Sequence, residues 1–171
     1  HLVKGASPLS RAHPKDELLA LGPTRPKACN FISIFRPLNK ILLFSDGGSR
    51  GNPGPAGCGA VVCDAQGKVL QKISKYIGVT TNNQAEYQAL ILALKATAKL
   101  KPEKITCYLD SKLVVEQVSG RWKVKMPELK PHVEWVRQFV LKHPGTTFHH
   151  IPREKNIIAD RLANEAMDWR N

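Results

Sequence analysis

Acidic residues are scarce in this chain of 171 residues: 14 Asp and Glu stand against 26 Lys and Arg, a formal net charge of +12. A surplus of that sign points to a polyanionic partner, most simply nucleic acid. Long apolar runs are missing too. The longest, Ala89 to Leu94, has six residues, far short of the roughly 20 that a membrane-spanning helix needs, so no membrane partner is expected. Cysteine is sparse and unpatterned. Cys29, Cys58, Cys63 and Cys107 form no CxxC pair and have no histidine at zinc-ligand spacing, which excludes a zinc module. They read as small buried thiols of an intracellular, reducing compartment, with nucleus, cytoplasm and an organelle (plastid or mitochondrion) all open. An aspartic protease would need Asp-Thr/Ser-Gly, and Asp46-Gly47-Gly48 does not supply it.

What is present is a globular composition, 42% hydrophobic and 23% charged, long enough for one domain and an appendage. The appendage is residues 1–40, which hold five of the twelve prolines and seven Lys and Arg against Asp16 and Glu17. It is expected to be a flexible basic extension, either a linker or the remnant of a targeting region. The remaining residues, 41–171, are basic as well, so the extension alone does not explain the charge.

From Ile41 onward the pattern alternates between the periods of strand and helix. Ile41 to Ser45, Gly57 to Cys63 and Val69 to Gly78 read as three strands joined by turns, hence an antiparallel meander. Cys58 and Cys63, five apart on the second, should face opposite sides. Tyr87, Leu90, Ile91, Leu94 and Ala98 then recur at helical spacing, with Asn82 or Asn83 as the N-cap. A strand over Ile105 to Leu109, helices over Lys112 to Val118 and Pro127 to Leu141, a strand over Thr146 to Ile151 and a helix over Ile157 to Trp169 complete the order βββαβααβα. Ile158, Leu162, Ala163 and Ala166 should form the buried stripe of the last helix. The order predicts an α/β fold, a five-stranded mixed sheet flanked by helices.

Two acids stand where packing alone would not put them. Asp46 ends one apolar strand and Asp110 ends another. If those strands are parallel neighbours, the two carboxylates meet at the C-terminal edge of the sheet, where α/β sheets place ligands. At 4 Å such a pair repels by about 4 kcal/mol at an effective dielectric near 20. A divalent cation between them offsets this, and an all-oxygen donor set favours Mg²⁺ or Mn²⁺ over zinc.

The stretch Ser45-Asp46-Gly47-Gly48-Ser49-Arg50-Gly51-Asn52-Pro53-Gly54-Pro55-Ala56-Gly57 resembles the first-strand signature of type 1 ribonuclease H. Thr81-Asn82-Asn83-Gln84-Ala85-Glu86-Tyr87, Leu109-Asp110-Ser111-Lys112 and Ala159-Asp160-Arg161-Leu162-Ala163-Asn164 resemble the next three motifs, in family order and spacing. Gly120-Arg121-Trp122-Lys123-Val124-Lys125 leads straight into the following helix, as in the short branch of the family that lacks a basic handle.

The resemblance implies a ribonuclease H-like fold over residues 41–171. It implies a metal-binding quartet of Asp46, Glu86, Asp110 and Asp160 and two-metal-ion hydrolysis of the RNA strand of RNA/DNA hybrids, giving 5′-phosphate and 3′-hydroxyl ends. The cofactor would be Mg²⁺, with Mn²⁺ as a substitute, and the enzyme would act as a monomer with no obligate protein partner. Both auxiliary groups known in the family have a counterpart, His150 ten residues before Asp160 and Arg153 seven before it, so the choice stays open. Ser49, Asn52 and Asn83 match positions that contact the hybrid's minor groove, and Thr81 and Asn82 positions that hold the DNA strand. Trp122, set among Arg121, Lys123 and Lys125, and Lys112 are candidates for stacking and phosphate contact. Two other readings are a silent nucleic-acid-binding module of the same fold and the ribonuclease H domain of a reverse-transcribing element.

Overall fold

The computed structural model describes residues 39–169. The expected flexible extension, with Cys29, therefore lies outside the described residues apart from Asn39 and Lys40. Lys40 already belongs to the first strand.

Five strands and four α-helices follow in chain order. They are β1 (Lys40–Ser49), β2 (Gly54–Asp64), β3 (Val69–Thr80), α1 (Asn82–Ala98), β4 (Lys104–Leu109), α2 (Lys112–Val118), α3 (Lys130–Lys142), β5 (Thr146–His150) and α4 (Ile157–Trp169). The sheet runs β3-β2-β1-β4-β5, antiparallel within the first three strands and parallel from β1 to β4 and β4 to β5. This is the mixed sheet that the sequence predicts. The first three strands extend beyond their expected ends because the turn-rich residues pair too, Gly48 with Gly57 and Ser49 with Ala56 between β1 and β2, and Gly54 with Thr80 and Pro55 with Val79 between β2 and β3.

Helix ends show where side-chain chemistry overrides pattern. The N-cap of α1 is Thr81, not Asn82 or Asn83: its hydroxyl accepts from the Gln84 amide at 3.4 Å while the Gln84 side chain accepts from the Thr81 N–H at 3.3 Å. That reciprocal capping box satisfies two donors at once, which a lone Asn cap does not. The helix expected from Pro127 opens with a 3₁₀ turn over Pro127–Leu129 before α3 begins. In α4 the buried stripe is Ala159, Leu162, Ala163, Ala166 and Met167, while Ile158 is half exposed. Ile158, in the first turn of α4, stands at the rim of a cavity shared with Leu42, Phe44 and Val61 and not in the β2–α4 seam, which Ala159, Leu162, Ala163, Ala166 and Met167 fill.

The larger core joins Leu43, Ile105, Cys107 and Leu109 of the sheet to Tyr87, Leu90 and Leu94 of α1, the valines of α2, and Val133 and Val136 of α3. On the opposite face, Leu42 and Phe44 pack with Val61, Cys63 and Leu162. The two cysteines of β2 do face opposite sides: Cys58 reaches the Ala85 carbonyl of α1, and Cys63 meets Leu162 of α4. Among the described residues, no helix is long and apolar enough to cross a membrane.

Backbone contact between layers is unusually close at glycines. A Cβ at Gly47 would lie 2.2 Å from the Ala85 carbonyl oxygen, and one at Gly59 would lie 2.0 Å from the Ala159 oxygen and 2.4 Å from the Ala163 nitrogen. At these positions, though not along the rest of the interface, α1 and α4 rest directly on the backbone of the sheet. Gly59→Ala should push α4 away and cost about 3 kcal/mol, as overpacking of a rigid core does, lowering the melting temperature by roughly 10 °C. A thermal melt that shows no change would mean that α4 is not seated this closely.

Candidate active site

The parallel register of β1 and β4 pairs Ser45 with Leu109, so the residues that follow, Asp46 and Asp110, emerge side by side at the C-terminal edge of the sheet. The close approach at Gly47 brings the N-terminal part of α1, with Glu86 at the start of its second turn, against the same edge. Helix α4, seated on β2 through Gly57 and Gly59, adds Asp160. The four carboxylates line one cleft of about 290 Å³ with Gly48, Ser49, Arg50, Asn82, Arg153 and Asn164.

Three of the acids are held by donors. Arg153 forms an ion pair with Asp160, and Asn164 donates to the Asp160 carbonyl oxygen at 2.9 Å and to its Oδ2 at 3.4 Å. Asn82 donates to Glu86 Oε1 at 3.0 Å. Asn156 donates to Asp110 Oδ1 at 2.9 Å. Burial and the charges of Asp110, Asp160 and Glu86 push the Asp46 carboxyl up to about 7, against the opposing pull of Arg153. Burial, reinforced by the charge of Asp110, also raises Glu86 to about 7, despite hydrogen bonds from Ser111 and Asn82.

Among the described residues, no three of His, Cys, Asp and Glu already form a closed metal cage; Glu86, Asp110 and Asp160 are each turned toward a donor of their own. The donor chemistry nonetheless fits a hard cation. The buried Oε2 of Glu86 has no hydrogen-bond partner, and the donors are carboxylate oxygens with no thiol or imidazole, the set suited to Mg²⁺ or Mn²⁺.

The remaining candidate residues divide. Arg153 lies in the cleft. His150 is exposed outside it, its Nε2 3.2 Å from the Asp110 carbonyl oxygen, while His149 turns away to stack on Tyr108 at 5.6 Å. Ser49, Asn52 and Asn82 are locked together: the Ser49 N–H donates to Asn82 Oδ1 at 3.3 Å, and the Asn82 N–H to Asn52 Oδ1 at 3.2 Å. Asn83 leans on Met126, its Nδ2 3.8 Å from the sulfur. Thr81 caps α1. Lys112 is exposed at the start of α2. Trp122 is 44% exposed and stands on the loop between α2 and α3. Within its basic cluster, Arg121 is paired with Glu116, which leaves Lys123 and Lys125 as the free cations of that cluster. The loop is anchored from below: buried Tyr87 donates its hydroxyl to Gln117 at 2.8 Å, and the Gln117 amide donates to the Lys123 carbonyl oxygen at 3.3 Å.

Motif reading overlooks Asn156 and Asn164. Their signals were nevertheless available: Asn156 directly precedes an apolar helical pattern, a capping position, and Asn164 lies one turn beyond Asp160.

A layered α/β domain whose acids gather at the edge of its parallel strands offers the donor set of an oxygen-ligand metal site. Residues 44–166 match the family described as reverse transcriptase-like. The chain is 48% identical over 130 residues, 75% of its length, to a bifunctional protein of Mycobacterium tuberculosis, of which it spans 36%. It is 37% identical to the ribonuclease H of Ruthia magnifica, covering 77% of this chain and 97% of that one. A crystal structure of LC11-RNase H1 in complex with an RNA/DNA hybrid superposes with a TM-score of 0.73 at 44% identity, over 76% of this chain and 98% of that one. The chain belongs to the ribonuclease H family.

The raised carboxyls make stability depend on pH. Asp46 and Glu86 bind protons more tightly in the folded chain than in the unfolded one. Their contribution is therefore fully present below about 4 and is lost as pH rises toward 7. In a chelating buffer at pH 8, Asp46→Asn should raise the melting temperature by about 5 °C, and at pH 4 by little. Adding Mg²⁺ should raise the wild-type value at pH 8. A variant that melts like wild type at both pH values would show that Asp46 is not under this repulsion.

Proposed function

We propose that the chain hydrolyses the RNA strand of RNA/DNA hybrids with two divalent cations, Mg²⁺ or in its place Mn²⁺, leaving 5′-phosphate and 3′-hydroxyl ends. The observation that carries this reading is the convergence of Asp46, Glu86, Asp110 and Asp160, from four separate elements, on one cleft. A cluster so mutually repulsive has no use in a silent binding module. The hybrid-bound relative of the same fold supports the substrate. The quartet Asp46, Glu86, Asp110 and Asp160 is complete within this chain and calls for no residue of a second copy, so we read the enzyme as acting as a monomer.

The four carboxylates would hold the cations, whose chemistry is to acidify the attacking water and to stabilise charge on the leaving 3′ oxygen. The protein's own groups do the rest. Arg153, permanently charged, holds Asp160 and presents its fork to a phosphate oxygen. His150, exposed beside the Asp110 backbone, is placed to carry a proton between the cleft and solvent. Ser49, Asn52 and Asn83 would read the RNA 2′-hydroxyls, since amide and hydroxyl groups both donate and accept. Thr81 and Asn82 would hold the DNA strand, and Lys112, Trp122, Lys123 and Lys125 would track its backbone.

With a labelled RNA/DNA hybrid and Mg²⁺, wild type should cleave the RNA strand, and Asp46→Asn should reduce the rate by at least about 10³-fold, a loss comparable to removal of other central catalytic groups. Undiminished cleavage by a clean Asp46→Asn preparation would overturn the assignment. In the same assay, His150→Ala should lower the rate and change the shape of the pH–rate profile. Arg153→Ala should lower the rate at every pH, and most at acidic pH, because Arg153 also draws the Asp46 and Glu86 carboxyls down. Replacing Lys123 and Lys125 together should flatten the slope of log affinity against log salt by about 2; an unchanged slope would remove this loop from the contact surface.

A further inference from the structure

The side chain that ties the cleft together most directly is not one of its acids. Asn156 is 1% exposed. Its Nδ2 donates to two acceptors, the Ser45 carbonyl oxygen at 3.0 Å and Asp110 Oδ1 at 2.9 Å. Its own backbone carbonyl accepts from the Asp160 N–H at 3.0 Å, closing the first turn of α4. One residue therefore touches the peptide unit that leads into Asp46, the carboxylate of Asp110 and the backbone of Asp160. These groups come from β1, β4 and α4. The Oδ1 of Asn156 is buried without a partner, so this amide carries a desolvation cost that an apolar residue of its size would avoid. Such a cost is retained where the donor half is needed.

We infer that Asn156 is a positioning residue that fixes the Asp110 carboxylate and the ends of β1 and α4 at the mutual spacing that divalent cations require. It acts through those carboxylates and touches neither substrate nor cation. Outer hydrogen-bond partners of metal ligands act in this way, and their loss typically costs 10- to 100-fold in metal affinity or activity. The inference rests on the metal-dependent reading proposed above and adds a residue to it.

The test compares wild type, Asn156→Ala, Asn156→Ser, Asp46→Asn and Thr97→Val. Thr97 is buried at the far end of α1, where its hydroxyl donates to the Ala93 carbonyl oxygen, so Thr97→Val is a control for loss of a buried hydrogen bond alone. Mg²⁺ and Mn²⁺ binding is measured by calorimetry, melting temperature in chelator, and kcat and KM on the hybrid at saturating metal. Asn156→Ala should weaken metal binding and lower kcat by about 10-fold or more, with KM for the hybrid within about two-fold. Asn156→Ser, which keeps one donor, should fall between Ala and wild type and serves as the readout if the Ala variant does not melt cooperatively. Thr97→Val should lose stability only. Asn156 variants that melt lower but bind metal and turn over like Thr97→Val would overturn the positioning role and leave the proposed function standing. Wild type that binds neither metal, with Asp46→Asn indistinguishable from it, would overturn both.

Discussion

Mutual repulsion among four carboxylates is the constraint to which the rest of the molecule answers. Each acid is tolerable alone; together, partly buried, they disfavour the folded chain unless something holds them. The fold supplies that restraint in backbone rather than in side chains. Gly47 lets α1 lie directly on β1, and Gly57 and Gly59 do the same for α4 on β2. Neither helix can slide outward to relieve the charges without giving up a seam already in van der Waals contact.

Neutral donors then moderate what the backbone has forced together. Asn82, Asn156 and Asn164 each turn an amide to one of the acids. Amides suit the task because they stabilise the carboxylate without the full charge that would compete with a cation. Of the two arginines lining the cleft, Arg50 is paired with Asp168 and Arg153 with Asp160, an acid of the quartet from the element that follows it in sequence. Asn82 has a second office, because its backbone and side chain also fasten Ser49 and Asn52. The loop proposed to read the RNA strand is thereby built on the residue that steadies Glu86.

Most of this was legible in the sequence, for identifiable reasons. The mixed sheet followed from three strand-like stretches joined by turns and from the strand–helix alternation after them. Asp46 and Asp110 stood out as acids at the ends of apolar strands. Glu86 and Asp160 did not; on their own they read as ordinary helix acids, and only the resemblance of the surrounding motifs singled them out. What escaped was chemistry decided across the fold. The capping box at Thr81 depends on the Gln84 rotamer, the exposure of Ile158 on its place at the rim of the α4 seam, and the double donation by Asn156 on a carbonyl 111 positions away. The ion pair of Arg121 with Glu116 likewise removed one cation from a cluster that composition had counted whole.

Tyr87 and Glu86 are neighbours in sequence, one buried under the Gln117 amide that carries the Lys123 loop, the other in the cleft. The basic loop and the acidic cleft are therefore fastened to the same stretch of α1, the loop by way of the Gln117 side chain. On the proposed reading, such a molecule works as a fixed caliper. A duplex whose groove is wider or narrower than that jaw meets the loop or the carboxylates, but not both. Selection among nucleic acids by their helical form then follows from rigidity alone, before any hydroxyl is read.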